Sequence, residues 1–142
     1  MTKPSIRRVF EVDVPLEEAW RRLAEVERWP EWAPHIISVT VSPPGSLGPT
    51  SVGAFRIRRL GRNSFQMIAW EPPVHWEWVG GFPGVRISYD HRFLGRGPAT
   101  TKLEWVVVLR GVFAPLIRGV FVRVYARNVD RAIPRLQEWF GR

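Results

Sequence analysis

VPLEEAWRRLAEVERWPEWAPHI, residues 14–36, decides how this chain folds. Pro15 suits the first residue of a helix, where its missing N–H costs nothing. Glu17 and Glu18 suit the positive end of the helix dipole. Leu16, Ala19, Trp20, Leu23 and Val26 or Glu27 follow helical spacing, with Arg21, Arg22 and Glu25 turned outward. Pro30 lacks a donor and disfavours a helical Trp29, so the helix is expected to stop there, with a short second helical turn over 30–34. A plain connecting loop needs neither Trp29 nor Trp32. The two indoles are therefore expected to anchor a corner against a sheet or a second helix, with Trp32 and His35 near the edge of whatever that corner borders.

Either side of this stretch the period is two. In 6–14, Ile6, Phe10, Val12 and Val14 share one face. From Ile36, IISVTV reads as a strand. The turn-rich PPGSLGPTSVG, 43–53, follows it. Strands are then predicted near 54–60, 64–71, 74–80, 85–94 and 100–110. The breaks are Gly61–Asn63, Pro72–Pro73, Gly80–Gly84 and Gly95–Pro98, short enough to join antiparallel neighbours. The last segment, 112–140, is a long amphipathic helix. Its apolar face reads Phe113, Leu116, Ile117, Val120, Phe121, Val124, Ala132, Ile133, Leu136 and Phe140. Pro115 fits its first turn, whereas Pro134 is expected to kink or divide it.

Length and composition bound the rest. The 142 residues fit one domain over 1–142 with a real core. No apolar run approaches the ~20 residues of a membrane span, and the N-terminus lacks the apolar middle of a signal peptide. With no cysteine, disulfides and thiolate chemistry are excluded. A cytoplasmic protein, monomer or homodimer, is the simplest expectation. The net charge of +8 comes almost wholly from arginine, since Lys3 and Lys102 are the only lysines. Arg123, Arg127, Arg131 and Arg135 form one helical ridge, with Arg118 nearby. The ridge reads as a solvated face partly paired with Asp130 and Glu138, as a contact for an anionic membrane, or as a nonspecific nucleic-acid contact. Specific nucleic-acid binding is not expected. His35, His75 and His91 lie on separate segments without metal-ligand spacing, so neither a metal nor a cofactor is expected. No phosphate-cradling loop or serine-nucleophile elbow is present.

Strand parity assigns the interior. Val85, Ile87, Tyr89, His91 and Phe93 alternate with Arg86, Ser88, Asp90 and Arg92, a plain water face. Thr101, Leu103, Trp105, Val107 and Leu109 form the next inward set, and Val74, Trp76 and Trp78 another. Phe55 and Ile57 face inward with Arg59 on their side near the strand end. Phe65, Met67 and Ala69 are taken as the inward set of 64–71, leaving Trp70 outside.

The order strand, helical pair, about six strands and long helix, together with several motifs, resembles a known superfamily. The pieces are VPLEEAWRRLAEVERWPEWAPHI, GPTSVGAFRIR, WEPPVHWEW, YDHRF, TTKLEWVVVLRG and the last helix. The chain resembles the START-related, birch-pollen-allergen-like (SRPBCC) superfamily, in particular its polyketide cyclase/dehydrase and lipid-transport branch. The resemblance implies an α+β helix-grip fold: about seven antiparallel strands curved around a long C-terminal helix, with two short helices after strand 1. It also implies a cavity between sheet and helix for a lipid, polyketide or aromatic molecule. On that basis Trp32, His35, Phe55, Arg59, Met67, Trp76, Trp78, Ile87, Trp105, Phe121 and Val124 are the candidate ligand-binding residues.

Three functions stay open. The chain is a carrier or sensor of an apolar or amphipathic small molecule. It is a cyclase/dehydratase-type enzyme using Tyr89 and His91 as acid and base. Or its aromatics fill the core and it is a basic interaction module. The aromatising cyclases of the family carry a Tyr shortly after the W-P run and an inward Arg on a central strand. Here Pro34, His35 and Ile36 follow the run, and 64–71 has no Arg.

Overall fold

In a computed structural model, which describes residues 4–141, seven strands form one antiparallel sheet. They are β1 (Ile6–Val12), β2 (Ile36–Ser42), β3 (Val52–Ile57), β4 (Gly61–Glu71), β5 (His75–Phe82), β6 (Val85–Gly95) and β7 (Thr101–Arg110). Their order is β1-β7-β6-β5-β4-β3-β2, so β1 and β2 are the two edges. Helix α1 (Leu16–Ala24) and a 3-10 turn (Val26–Glu31) carry the chain from one edge to the other. Helix α2 (Ala114–Phe140) follows β7. This is the helix-grip arrangement.

The quoted stretch acts as the corner expected of it. Trp20 lies 4.9–5.1 Å, ring to ring, from Trp70, Trp76 and Phe93. Trp29 sits 5.1 Å from Trp32 and 5.5 Å from Trp78. Its Nε1 donates to the Leu23 carbonyl at 2.8 Å, which satisfies a buried donor. The second helical turn lies over Val26–Glu31 and contains Pro30 instead of beginning there. The break comes at Glu25, because only a change of direction there buries both Val26 and Trp29. Arg22 then closes the far end of α2. It donates to the carbonyls of Trp139 at 2.9 Å and Phe140 at 3.0 Å, with its guanidinium 4.4 Å from the Trp139 ring centre. The last carbonyls of a helix run out of regular intrahelical partners, so an arginine there acts as a cap alongside the Gly141 N–H.

Five local expectations are corrected. A bulge at Ile68 shifts the register, so that Met67 faces Trp78 while Trp70 faces Trp76. Trp70 therefore turns inward against Trp20, and Ala69 takes the other side, opposite Glu77. Val74 precedes β5 in the turn and is exposed. The β3–β4 turn is Arg58–Leu60, three residues earlier than predicted, and Gly61 opens β4. The buried seam of α2 runs through Ala114, Val129, Ala132, Leu136 and Phe140, with Ile117, Phe121 and Tyr125 partly buried along it. Leu116 and Val120 stand beside this seam and are exposed. The helix runs unbroken through Pro134. Pro134 and Asp130 are both on the exposed side, where a helix best tolerates the lost hydrogen bond.

Candidate functional site

The inner faces of β3 to β7 meet α2 over two adjoining spaces. The outer one is a hollow of about 310 Å³ under the N-terminal half of α2. Leu60, Arg62, Phe82, Ile87, Val120, Phe121 and Val124 line it. The inner one is a cavity of about 80 Å³ walled by Trp29, Trp32, Phe55, Phe65, Trp78, His91, Trp105 and Val129. His35, Ile57, Asn63, Tyr89 and Tyr125 border both and form the neck between them. The indoles thus fill most of the deep interior. The remaining space is a funnel, wide at the helix and narrow at His91.

Parity along β6 delivers Tyr89 and His91 to this funnel, as expected. Tyr89 lies opposite Trp78 and Val107, and His91 opposite Trp76 and Trp105. The His91 ring is boxed by Trp78 at 4.8 Å, Trp76 at 5.0 Å, and Trp29 and Trp105 at 6.2 Å. Burial pushes its pKa down to about 4. Burial does the same to His35, also to about 4. Both imidazoles are neutral near pH 7. Tyr89 is pushed up to about 12 by burial, partly offset by the hydrogen bond its hydroxyl accepts from Asn63 Nδ2 at 3.2 Å. Burial also raises Tyr125, whose ring lies 5.8 Å from that of Tyr89.

Four buried polar atoms have no hydrogen-bond partner among the described residues: Trp32 Nε1, His35 Nδ1, Trp76 Nε1 and His91 Nδ1. Three of these belong to residues that wall the cavity or its neck. An unpaired buried polar group costs ~1–3 kcal/mol, so such groups cluster where something else supplies a partner.

The predicted residues divide by place. Trp32, Phe55, Trp78 and Trp105 wall the inner cavity, His35 the neck, and Ile87, Phe121 and Val124 the hollow. Met67 and Trp76 are core residues behind the wall. Arg59 is not on the strand face beside Phe55. It sits in the β3–β4 turn with φ 69°, exposed, beside a surface hollow it shares with His35 and Arg131. The strand ends at Ile57, so the alternation that placed Arg59 inward no longer applies. Trp29, Asn63 and Tyr125 belong to the site and were not anticipated. Tyr125 follows Phe121 by one helical turn and was legible from that spacing. Asn63 was hidden because its segment reads as a turn.

The sheet also assembles a group that spacing did not reveal. His75, Glu77 and Asp90 bring one ligand-type atom each within 4.8 Å of one another on the outer face. There His75 pairs with Glu71 at 2.5 Å and with Asp90, while Arg92 donates to Asp90 at 2.9 Å. The Asp90 carboxylate is thereby held away from His91.

Comparison with known proteins agrees with this geometry. The profile of the family described as polyketide cyclase / dehydrase and lipid transport matches residues 3–138. The chain belongs to that family. Comparison with curated protein sequences gives no match. Among solved structures, a Thermobifida fusca protein is similar at 15% identity with a TM-score of 0.75, over 96% of this chain and 92% of that one. XoxI of Bacillus cereus is similar at 14% identity with a TM-score of 0.74, over 95% of this chain and 94% of that one. The di-domain ARO/CYC StfQ of the steffimycin biosynthetic pathway is similar at 12% identity with a TM-score of 0.67. That match covers 94% of this chain and 49% of StfQ. At these identities the likeness is one of fold. Among the described residues no helix of this family member is long and apolar enough to cross a membrane.

Proposed function

We propose that the protein is a single-domain binder of a flat, largely apolar small molecule bearing one or two hydrogen-bonding groups, serving as its carrier or sensor. The supporting observation is the set of unpaired nitrogens on Trp32, His35 and His91 around an aromatic funnel. An apolar wall with a few fixed polar groups is the usual composition of a small-molecule site. The ring system lies in the outer hollow between Ile87, Phe121 and Val124. Its polar end passes the neck toward Tyr89, Asn63 and His35. The two spaces together, about 310 and 80 Å³, suit a fused-ring or polyketide-like ligand better than a two-chain lipid.

The test uses the protein's own tryptophans. Planar aromatic and polyketide-like compounds are titrated while indole fluorescence is followed, and freshly purified protein is weighed by native mass spectrometry for retained ligand. Saturable quenching is expected, abolished by Val124→Trp, which fills the hollow. A flat response across the panel, with no retained mass, overturns the reading.

A second reading is a cyclase/dehydratase-type enzyme in the same funnel, with Tyr89 and His91 acting on one bound molecule. The ARO/CYC activity named for StfQ favours it. Against it stand a His91 held near 4 and no carboxylate orienting that ring. Turnover of a polyketide substrate that survives Tyr89→Phe and His91→Leu removes that assignment.

A further inference from the structure

We infer that the open end of the funnel is a docking surface for an anionic lipid bilayer, and that the exposed flank of α2 rests on it. The inference does not depend on which ligand the funnel holds.

Charge is distributed unevenly along this chain. Between Glu31 and Glu71 there is no Asp or Glu, and between Glu104 and Asp130 there is none. The first gap holds Arg56, Arg58, Arg59 and Arg62, and the second holds Arg110, Arg118, Arg123 and Arg127. Folding brings the two gaps together at the hollow, because the β3–β4 turn and the N-terminal half of α2 are opposite walls of it. The carboxylates pair elsewhere. Asp130 is taken by Arg8 at 2.7 Å, and Glu104 by Arg7 at 2.5 Å. Among the described residues, none of those eight arginines has a carboxylate within ion-pair distance. Arg62 lines the hollow, and Arg58 and Arg59 on the β3–β4 turn and Arg118, Arg123 and Arg127 on α2 lie exposed on its two walls, so this end attracts a polyanionic surface.

The apolar side chains at the same end favour a bilayer over an acidic protein or nucleic acid. Phe113, Leu116 and Val120 recur at i, i+3 and i+7 on the outer flank of α2 and are 52–79% exposed. Arg123 and Arg127 continue that stripe at i+10 and i+14. Phe82, at the facing end of β5, and Leu60, on the β3–β4 turn, are also more than half exposed. Phe113 is tied to the β5–β6 turn by its N–H, which donates to the Gly84 carbonyl at 3.1 Å. The result is a ring of protruding apolar groups bordered by arginines. Such a surface sinks its apolar tips among the acyl chains and leaves its guanidinium groups at phosphate level. A nucleic acid or acidic protein gains nothing from five protruding hydrocarbon groups. The helix residues between Ala114 and Val129 are nowhere fully buried, so this half of α2 is the part of the lid free to shift on contact.

The experiment uses the whole chain without added ligand. Sedimentation with vesicles of phosphatidylcholine alone is compared with vesicles carrying 30 mol% phosphatidylglycerol, a composition of about one-third anionic lipid, at low and physiological salt. Because the chain has no cysteine, Leu116→Cys and Glu17→Cys each give a single site for an environment-sensitive fluorophore. Binding is expected only with the anionic vesicles and weaker at the higher salt. Each arginine near such a surface contributes a factor of about five in partitioning. Arg118→Glu with Arg123→Glu is therefore expected to weaken binding at least 25-fold, as about two such factors multiplied, whereas Arg21→Glu on α1 leaves it within about twofold. The Leu116 label should shift to the blue and the Glu17 label should not. Circular dichroism confirms that the variants are folded, since every replaced residue is exposed. Equal binding to both vesicle types, no binding, or a blue shift at Glu17 alone overturns the inference. So does burial of Leu116 in a dimer, or by an acidic polypeptide, with no vesicle bound. A protein that binds vesicles but quenches with no aromatic compound leaves this inference standing and removes the proposed ligand.

Discussion

Lowering the pH should destabilise this protein through His91 by an amount that a single substitution removes. The imidazole is fully enclosed by four indoles, and its pKa falls from 6.5 to about 4 in the folded chain. In the unfolded chain it titrates near 6.5. The sign follows directly. Above 6.5 both states hold a neutral ring, and His91 makes no pH-dependent contribution. Between 6.5 and about 4 the unfolded chain binds the proton and the folded one does not, so stability falls as the pH drops. Below about 4 the penalty is complete. At 1.36 kcal/mol per unit the loss by pH 4.5 is roughly 2–3 kcal/mol. His91→Leu keeps an apolar side chain of similar bulk and has no proton to take. Urea denaturation of both chains at pH 7.5, 6, 5 and 4.5 gives their stability difference at each pH. Losses from carboxylates are common to the two and cancel. The difference should move by roughly 2–3 kcal/mol in favour of the variant across that range. A difference constant to within about half a kcal/mol refutes the claim that His91 is buried neutral. So does a His91 ring proton that titrates near 6.5 by NMR.

Three further outcomes follow from particular contacts. Arg22→Ala removes two carbonyl-capping hydrogen bonds and the stacking on Trp139, and should cost about 2–3 kcal/mol in chemical denaturation. Arg22→Lys should recover little of it, because an ammonium cannot span both carbonyls and stack at once. Gly80→Ala would place a Cβ 2.3 Å from the Ser64 carbonyl oxygen on the adjoining strand, so a loss of at least ~2 kcal/mol or insoluble protein is expected. Tyr89→Phe deprives Asn63 of its acceptor, and should weaken a quenching ligand about fivefold to tenfold while shifting the thermal midpoint by only a few degrees.

Much of this architecture was legible because both periods are clean. The alternation in 85–93 places Tyr89, His91 and Phe93 inward without ambiguity, and register confirms each pairing. The prolines and tryptophans of 14–36 mark the corner, and all three indoles turn into the core. What escaped has a physical cause in each case. The bulge at Ile68 is a local shift of pairing, and no composition rule marks where a strand gains one residue. Arg59 looked inward only if its strand ran two residues further than it does. On α2 the predicted face took in Leu116 and Val120 because they are apolar. Burial followed the seam facing the sheet and left those two outside. Asp130 was assigned to the arginine ridge of its own helix, yet it pairs with Arg8 on β1, a contact that only the fold creates.

Exposed leucine and valine on a helix lid carry more functional information than the buried aromatics beneath it. Trp76 and Met67 were chosen as ligand contacts for their chemistry, but packing consumed them as core. An aromatic on an inward face has two fates, wall or filling, and side-chain type does not separate them. Where the unpaired nitrogens gather is more telling: Trp32, His35 and His91 all border one cavity, and only Trp76 Nε1 lies behind it. A purely structural core would spend Trp32, His35 and His91 on internal partners, as it spends Trp29 on the Leu23 carbonyl. Leaving three unpaired nitrogens around one small cavity costs stability that packing alone does not return. The same reasoning applies outside, where Leu116 and Val120 are left unburied beside unpaired arginines at the mouth of that cavity. The two departures from ordinary folding economy lie at opposite ends of one funnel, the placement that the proposed ligand binding and the proposed bilayer contact each call for.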